Sequence, residues 1–239
     1  MSLVAACLSW IFRPQCAACG AAVASGLPFC PPCSVALLEN LVCCPACAEM
    51  LVGSRAVTCV RCRRRPLPLH KIVAPWQYGG SLAEAIVRMK FGRHAEIART
   101  LAPLVAPVLV ATACSIEATM IVPVPLHWSR RLVRGFDQSR QLLHHAQGGA
   151  PSPCPVVPAL RRLRATPYQS RADAAGRARN MAAAIAVAPP WRRRLAGARV
   201  VLFDDVVTTG ATMAACARAL RSAGAAQVVG VALARGGTP

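Results

Sequence analysis

The sequence predicts an α/β protein, a mostly parallel sheet covered on both faces by helices, with a cysteine-rich module ahead of it. Three observations predict this. Beyond residue 66, short Val-rich runs alternate with longer helical patterns, as strands joined by helical crossovers require. One of those runs, Val200 to Phe203, ends in two adjacent acids and a small hydroxyl- and Gly-rich turn that opens a helix. Before residue 66, eight cysteines stand as four CxxC pairs.

The cysteine pairs come first in the chain: Cys16/Cys19, Cys30/Cys33, Cys44/Cys47 and Cys59/Cys62, with ten residues between the first two pairs and eleven between the last two. A tetrahedral zinc needs four thiolates from two tight turns, and each CxxC delivers two sulfurs to one ion. The simplest arrangement is two zinc ribbons in tandem, about two ions per chain. Pairing the outer turns with each other and the inner ones together meets the same ligand count, and Cys43 stands next to Cys44 as a substitute ligand. Some sixty residues with few large apolar side chains need such a staple, so the zinc is expected to be structural. CxxC spacing of this kind points to metal in a reducing compartment rather than to secreted disulfides. Cys7, Cys114, Cys154 and Cys216 are isolated and read as ordinary apolar residues.

The apolar opening from Leu3 to Phe12 has no charged leader and no small-residue cleavage site, so a signal peptide is not expected. No uninterrupted apolar run reaches the roughly 18 residues of a membrane span. A cytoplasmic protein is expected. The charged, Pro-broken stretch Arg63 to Pro68 reads as a linker, dividing the chain into a double zinc ribbon, 1–66, and a second domain, 67–239.

After the linker, Ile72 to Tyr78 is predicted as a strand, and Ser81 to Phe91 as a helix with Ser81 as N-cap and Glu84 three residues on. A helix interrupted by Pro103 and Pro107 is expected from about Ala95 to Thr112. Met120 to Val124 reads as a buried strand, Arg130 to His145 as a helix and 148–158 as a surface loop. Val200 to Phe203 and Val228 to Ala232 are strands, with a helix from about Thr212 to Ala223 between them.

Composition adds a charge argument. The chain has 28 basic residues against nine acidic ones, a net charge of +19. Such an excess suits a polyanionic partner such as nucleic acid. Only Lys71 and Lys90 of the basic residues are lysines, and a GC-rich coding bias produces the same Arg- and Ala-rich composition without selection for binding. Eleven aromatic residues are few for an extended base-stacking platform.

The segment Val200-Val201-Leu202-Phe203-Asp204-Asp205-Val206-Val207-Thr208-Thr209-Gly210-Ala211-Thr212 carries the sharpest signal. A Gly-rich turn at a helix start offers backbone N–H groups and a positive dipole end to a phosphate. Carboxylates at a strand tip accept hydrogen bonds from sugar hydroxyls, and the carboxyl ends of parallel strands are where open α/β sheets bind ligands. The segment resembles the phosphoribosyl pyrophosphate (PRPP) signature of type I phosphoribosyltransferases. That resemblance implies a type I phosphoribosyltransferase-like sheet. It also implies that Asp204 and Asp205 meet the ribose hydroxyls, that Thr208, Thr209, Gly210, Ala211 and Thr212 hold the 5′-phosphate, and that Mg²⁺ accompanies PRPP. Lys90 and Arg134 are candidates for its pyrophosphate end.

Upstream lie Ile121-Val122-Pro123-Val124-Pro125-Leu126 and Arg130-Arg131-Leu132-Val133-Arg134-Gly135-Phe136-Asp137-Gln138. Thr166, Gln169, Arg177 and Asn180 follow, and Tyr78, Lys90 and Phe91 stand after the linker. Together with the cysteine pairs, this order resembles the ComF family of competence proteins over nearly the whole chain. The family usually has Asn where Asp137 stands and Leu where Ala172 stands. Membership implies a role in natural transformation and DNA uptake, handling of incoming single-stranded DNA, and contact with competence-machinery proteins. The alternative is a working phosphoribosyltransferase that transfers ribose 5-phosphate from PRPP to a base or small amine.

Overall fold

A computed structural model of the chain describes residues 14–51, 57–92, 94–126, 135–148, 153–163 and 184–237. Two short helices, α1 (Pro31–Val35) and α2 (Val60–Arg64), belong to the cysteine module. They are followed by β1 (Ile72–Val73), β2 (Trp76–Gln77), α3 (Gly80–Phe91), α4 (Glu96–Ser115), β3 (Met120–Pro123) and α5 (Gln138–Gln147). The remainder is β4 (Leu160–Arg162), β5 (Ile185–Val187), two 3₁₀ turns, β6 (Arg199–Val207), α6 (Ala211–Ser222) and β7 (Gln227–Arg235).

The main sheet is parallel throughout and runs β1–β7–β6–β3, with β2 continuing along the same edge of β7 as β1. Residues alternate between the two faces of a strand, and β6 shows the consequence. Val201 and Phe203 pack into a core shared with α3, α4 and α5, while Val200 and Leu202 pack against α6 with Met213, Ala217 and Leu220. β4 and β5 form a separate antiparallel pair beside α6.

Four elements differ from the sequence reading. The expected Ile72–Tyr78 strand is broken into β1 and β2 around Ala74 and Pro75, because a proline cannot donate to the ladder. Ser81 is not the N-cap of α3; that place falls to Gly79, and Ser81 is buried inside the helix with its hydroxyl on the Cys33 sulfur. Gly80, at φ +47°, starts the helix where a Cβ would meet the Ala36 carbonyl oxygen at 2.5 Å, so the first ribbon lies directly on this turn. The helix from Glu96 continues through both prolines to Ser115. Pro107 deprives the helix of one N–H, and beside it Trp76 Nε1 donates to the Leu104 carbonyl at 3.1 Å. Finally, of the helix expected from Arg130 to His145, residues 130–134 lie outside the described residues, and α5 starts at Gln138, where the Asp137 carboxylate accepts from the Arg140 N–H at 3.2 Å. Within the segment expected as a loop, Val156 bridges Ile121 in parallel and widens the sheet.

By length and composition α4 passes as a membrane span, which the reading of uninterrupted apolar runs had not expected. Its packing accounts for its apolarity. Ile97, Leu101, Val105 and Leu109 are buried in the core formed with α3, α5 and the sheet.

The cysteine module is fused to this body at two places. Phe29 is fully buried in the same core as Leu82, Ile86 and Met89 of α3. Arg88 of α3 reaches the first CxxC turn, where its Nη1 donates to the carbonyls of Cys16, Ala17 and Ala18, each at 3.0 Å. The later part of the module lies along the β1/β2 edge. Ile72 N–H donates to Ala46, Asn40 donates to Ala48 and Ala74, and Glu39 bridges Trp76. An open sheet edge is thereby covered.

Arg88→Ala leaves three carbonyls of the first turn without their cation. Hydrogen bonds to charged groups contribute about 1.5–3 kcal/mol, so the variant is expected to melt earlier by at least several degrees. It should also release metal from the first cysteine cluster faster, as chelator-driven metal release followed by absorbance will show.

Candidate functional site

The site forms where β6 runs out of sheet. β6 is paired on both edges through Phe203, and Asp204, Val206 and Val207 continue the ladder with β7. Asp205 points to the α3 face, where it is 7% exposed, and its Oδ2 lies 2.5 Å from Lys90 Nζ at the end of α3. Asp204 accepts from the Ser139 hydroxyl of α5 at 3.1 Å and from the Asp205 N–H at 2.9 Å. Burial, and after it the adjacent Asp205 charge, push the Asp204 carboxyl well above the usual carboxylate range; Lys90 opposes them only in part.

The turn follows at once. Gly210 adopts φ +74°, a left-handed conformation that favours glycine, and stands at the N-cap of α6 with no side chain of its own to bond the first turn. The Thr209 hydroxyl accepts from the Ala211 N–H at 3.3 Å. Asp204, Val206 to Thr212 and Met213 line a small open pocket in front of this turn. Thr209 takes one N–H of the helix start and Gly210 has no side chain to take others, and N–H groups at a helix start suit an anionic oxygen. The structure thus gathers Asp204, Asp205, Lys90, Thr208, Thr209, Gly210, Ala211 and Thr212 in one place. Arg134 lies outside the described residues, as do Arg130, Thr166, Gln169, Arg177 and Asn180. Ser139 was missed in the sequence, although it directly follows the Asp137-Gln138 step of the motif.

The eight paired cysteines form two groups, Cys16/Cys19/Cys30/Cys33 and Cys44/Cys47/Cys59/Cys62, and the four sulfurs of each lie within 4.8 Å of one another. The tandem arrangement is the one adopted. Zinc–sulfur bonds of about 2.3 Å place the sulfurs of a tetrahedron about 3.8 Å apart. Cys19 and Cys30, and likewise Cys47 and Cys59, are separated by 3.7 Å, so both clusters fit a tetrahedral metal ion. Cys43 is outside the second group. Burial works against ionising Cys16, but N–H donors from Cys30, Cys19 and Ala18 outweigh it and lower the thiol to about 6. The same balance, with N–H donors from Cys59, Ala46 and Cys47, lowers Cys44 to about 7. Backbone donors thus favour the thiolate at one cysteine of each cluster, while Cys19, Cys33, Cys59 and Cys62 are pushed up.

Comparison with known proteins agrees with this geometry. Residues 166–238 match the phosphoribosyl transferase domain family. The chain is 36% identical to DNA utilization protein YhgH of Salmonella typhi over 183 residues, 74% of this chain and 77% of that protein. It is 29% identical to Competence protein F of Haemophilus influenzae over 185 residues, 74% and 78% of the two chains. The chain belongs to the ComF family. Among solved structures it is similar to the glutamine PRPP amidotransferase of B. subtilis, at a TM-score of 0.40 and 18% identity, over 61% of this chain and 30% of that one. The ComF chain described here therefore joins two cysteine clusters to a phosphoribosyltransferase-type sheet, and the turn at Thr208–Thr212 lies within the matched domain.

The raised Asp204 carboxyl has a stability consequence. Its folded value exceeds the unfolded one, so it lowers stability as pH rises through the interval between them. Asp204→Asn keeps the acceptor for Ser139 and removes the charge. At neutral pH it is expected to melt higher than the parent, by about 2–4 °C for each kcal/mol relieved. The difference should shrink below about pH 4, where the unfolded carboxyl is also protonated. Melting curves across pH check this.

Proposed function

We propose that this ComF-family chain handles single-stranded DNA during DNA uptake or utilization, and that it binds PRPP with Mg²⁺ at the β6–α6 turn. The carrying observation is the conjunction beside one turn of Asp204 and Asp205, a left-handed Gly210, and a start of α6 whose N-cap residue has no side chain. Two carboxylates suit the 2′- and 3′-hydroxyls of a ribose, and the turn suits its 5′-phosphate. The Lys90–Asp205 pair, next in the chain to Asp204, supports Lys90 as a cation for the pyrophosphate end, a role it would share with Arg134.

The DNA part rests on charge and kinship. The net charge is +19, and Arg161, Arg192, Arg193, Arg194, Arg218 and Arg221 are exposed. The relatives carry the names DNA utilization protein and Competence protein F. The two cysteine clusters take structural zinc, and thiols in this number suit the reducing cytoplasm. Elemental analysis is expected to give about two zinc ions per chain; less than half an ion would sink the ribbon reading.

Calorimetric titration with PRPP and Mg²⁺ is expected to show binding that Asp204→Ala with Asp205→Ala abolishes or weakens by at least tenfold, since hydrogen bonds to charged groups contribute about 1.5–3 kcal/mol each. Unchanged affinity in a folded double variant would show that the acids serve the sheet rather than the sugar. Single-stranded DNA is expected to bind with little sequence preference, log affinity falling linearly with log salt by about 0.7 per phosphate neutralised. A flat salt response, or no binding in dilute buffer, would remove the nucleic-acid role; pyrophosphate release from PRPP with a base or amine present would then point to phosphoribosyl transfer.

A further inference from the structure

The second cysteine cluster lies directly behind the phosphate-binding turn, and two arginines connect them. Arg61 of α2 donates through Nη1 to the Thr209 carbonyl at 3.0 Å. Through Nη2 it reaches the Cys47 sulfur at 3.4 Å and Glu49 Oε2 at 3.2 Å. Glu49 in turn pairs with Arg235 at the end of β7, and Arg235 Nη1 donates to the carbonyls of Val207 and Gly236, both at 2.9 Å. Arg235 is only 3% exposed, so its contacts are protected from water. Leu67 and Ile72 complete the backing. Leu67 packs against the second cluster and, with Ile72, faces the open side of Gly210.

Peptide geometry turns these contacts into a statement about the ligand. A trans peptide is planar, with its C=O and N–H pointing in opposite directions. Arg235 holds the Val207 carbonyl at the back of the turn, so the N–H of Thr208, in the same peptide plane, is directed away from it. Arg61 does the same for the Thr209 carbonyl and the N–H of Gly210. Thr208 and Gly210 both line the pocket. Two arginines anchored in one module thus aim two donors of the other.

We propose that Arg61, and Glu49 through Arg235, are positioning residues that orient the phosphate-binding N–H groups of Thr208 and Gly210, making the second cysteine cluster a working part of the phosphoribose site. The proposal rests on the PRPP reading of the turn. It gives the cluster a function that a merely structural staple lacks. Four thiolates on a divalent ion carry two net negative charges, so a metal-loaded cluster holds the Arg61 guanidinium more firmly than neutral thiols do. Ligand binding and metal retention are then coupled, and coupling of binding free energies is reciprocal.

The test uses the full zinc-loaded chain. In calorimetric titration with PRPP and Mg²⁺, R61A is expected to lose roughly tenfold to hundredfold in affinity, as for a lost hydrogen bond to a charged group. R61K should recover little, because an ammonium cannot span Thr209, Cys47 and Glu49 as a planar fork does. R88A, beside the first cluster, should bind PRPP as the parent does. Independently, zinc release to a colorimetric chelator is expected in two phases, and PRPP with Mg²⁺ should slow one of them in the parent and neither in R61A. Should R61A fail to fold, the parent's release kinetics decide alone: a PRPP-slowed phase supports the coupling, and two unaffected phases overturn it. A folded R61A with parental affinity and parental PRPP protection overturns the positioning role and leaves the PRPP reading standing. A parent chain that binds no PRPP overturns both.

Discussion

Strand β6 has parallel partners on both edges and helices on both faces, and two adjacent carboxylates stand where its pairing with β3 ends. Side chains that alternate between faces are directed to two different layers. Asp205 therefore goes toward α3, where Lys90 meets it, while Asp204 stays at the tip with Ser139. Desolvation and the neighbouring Asp205 charge, which Lys90 offsets only in part, hold Asp204 well above its usual range. The fold keeps a destabilised carboxyl, Asp204, in the lining of its pocket, and shifted groups of this kind cluster at functional sites.

That strand also explains the position of the cysteine module. β1 and β2 are two residues each, too short to close the sheet edge, and the module lies along them through Asn40, Glu39 and Ala46. A separate sixty-residue ribbon would have little core of its own. Here Phe29 borrows the core of α3, and Arg88 borrows the carbonyls of the first turn. Contacts between module and sheet cross residue 66 at both clusters. The ribbons and the sheet edge therefore stabilise each other.

Local signals were legible in the sequence. The β6–α6 turn could be read because acids, hydroxyls and glycine fall within one strand–turn–helix unit, and the CxxC units because both ligands of a turn are neighbours. Pairing of the four units stayed open, since it depends on how separate turns meet in space. Ser81 was misplaced because a Ser-x-x-Glu pattern marks a helix start only when the serine is free to turn outward; here its hydroxyl serves Cys33. Pro103 and Pro107 suggested a break that packing overrode, eight residues of α4 being buried along the helix. Arg61 was one arginine in a charged run, and nothing local distinguishes it from Arg63 or Arg64. Its role depends on a carbonyl 148 residues away.

Arginine explains how so basic a chain holds together. With nine acids for 28 cations, most guanidiniums cannot find a carboxylate. Several find carbonyl oxygens, alone or beside a carboxylate: Arg88 takes three, Arg235 takes two and Arg61 one beside the Glu49 they share, and Arg199 takes that of Glu117 besides its carboxylate. A carbonyl satisfies the donor but does not cancel the charge. Each such contact fixes the backbone while leaving its positive field in place. Two of these guanidiniums, Arg61 and Arg235, stand directly behind the β6–α6 turn, where Glu49 pairs with both. Behind the turn the charge is therefore largely compensated and the arginines act by fixing carbonyls, whereas Arg88, whose three carbonyls bring no carboxylate with them, keeps its positive field.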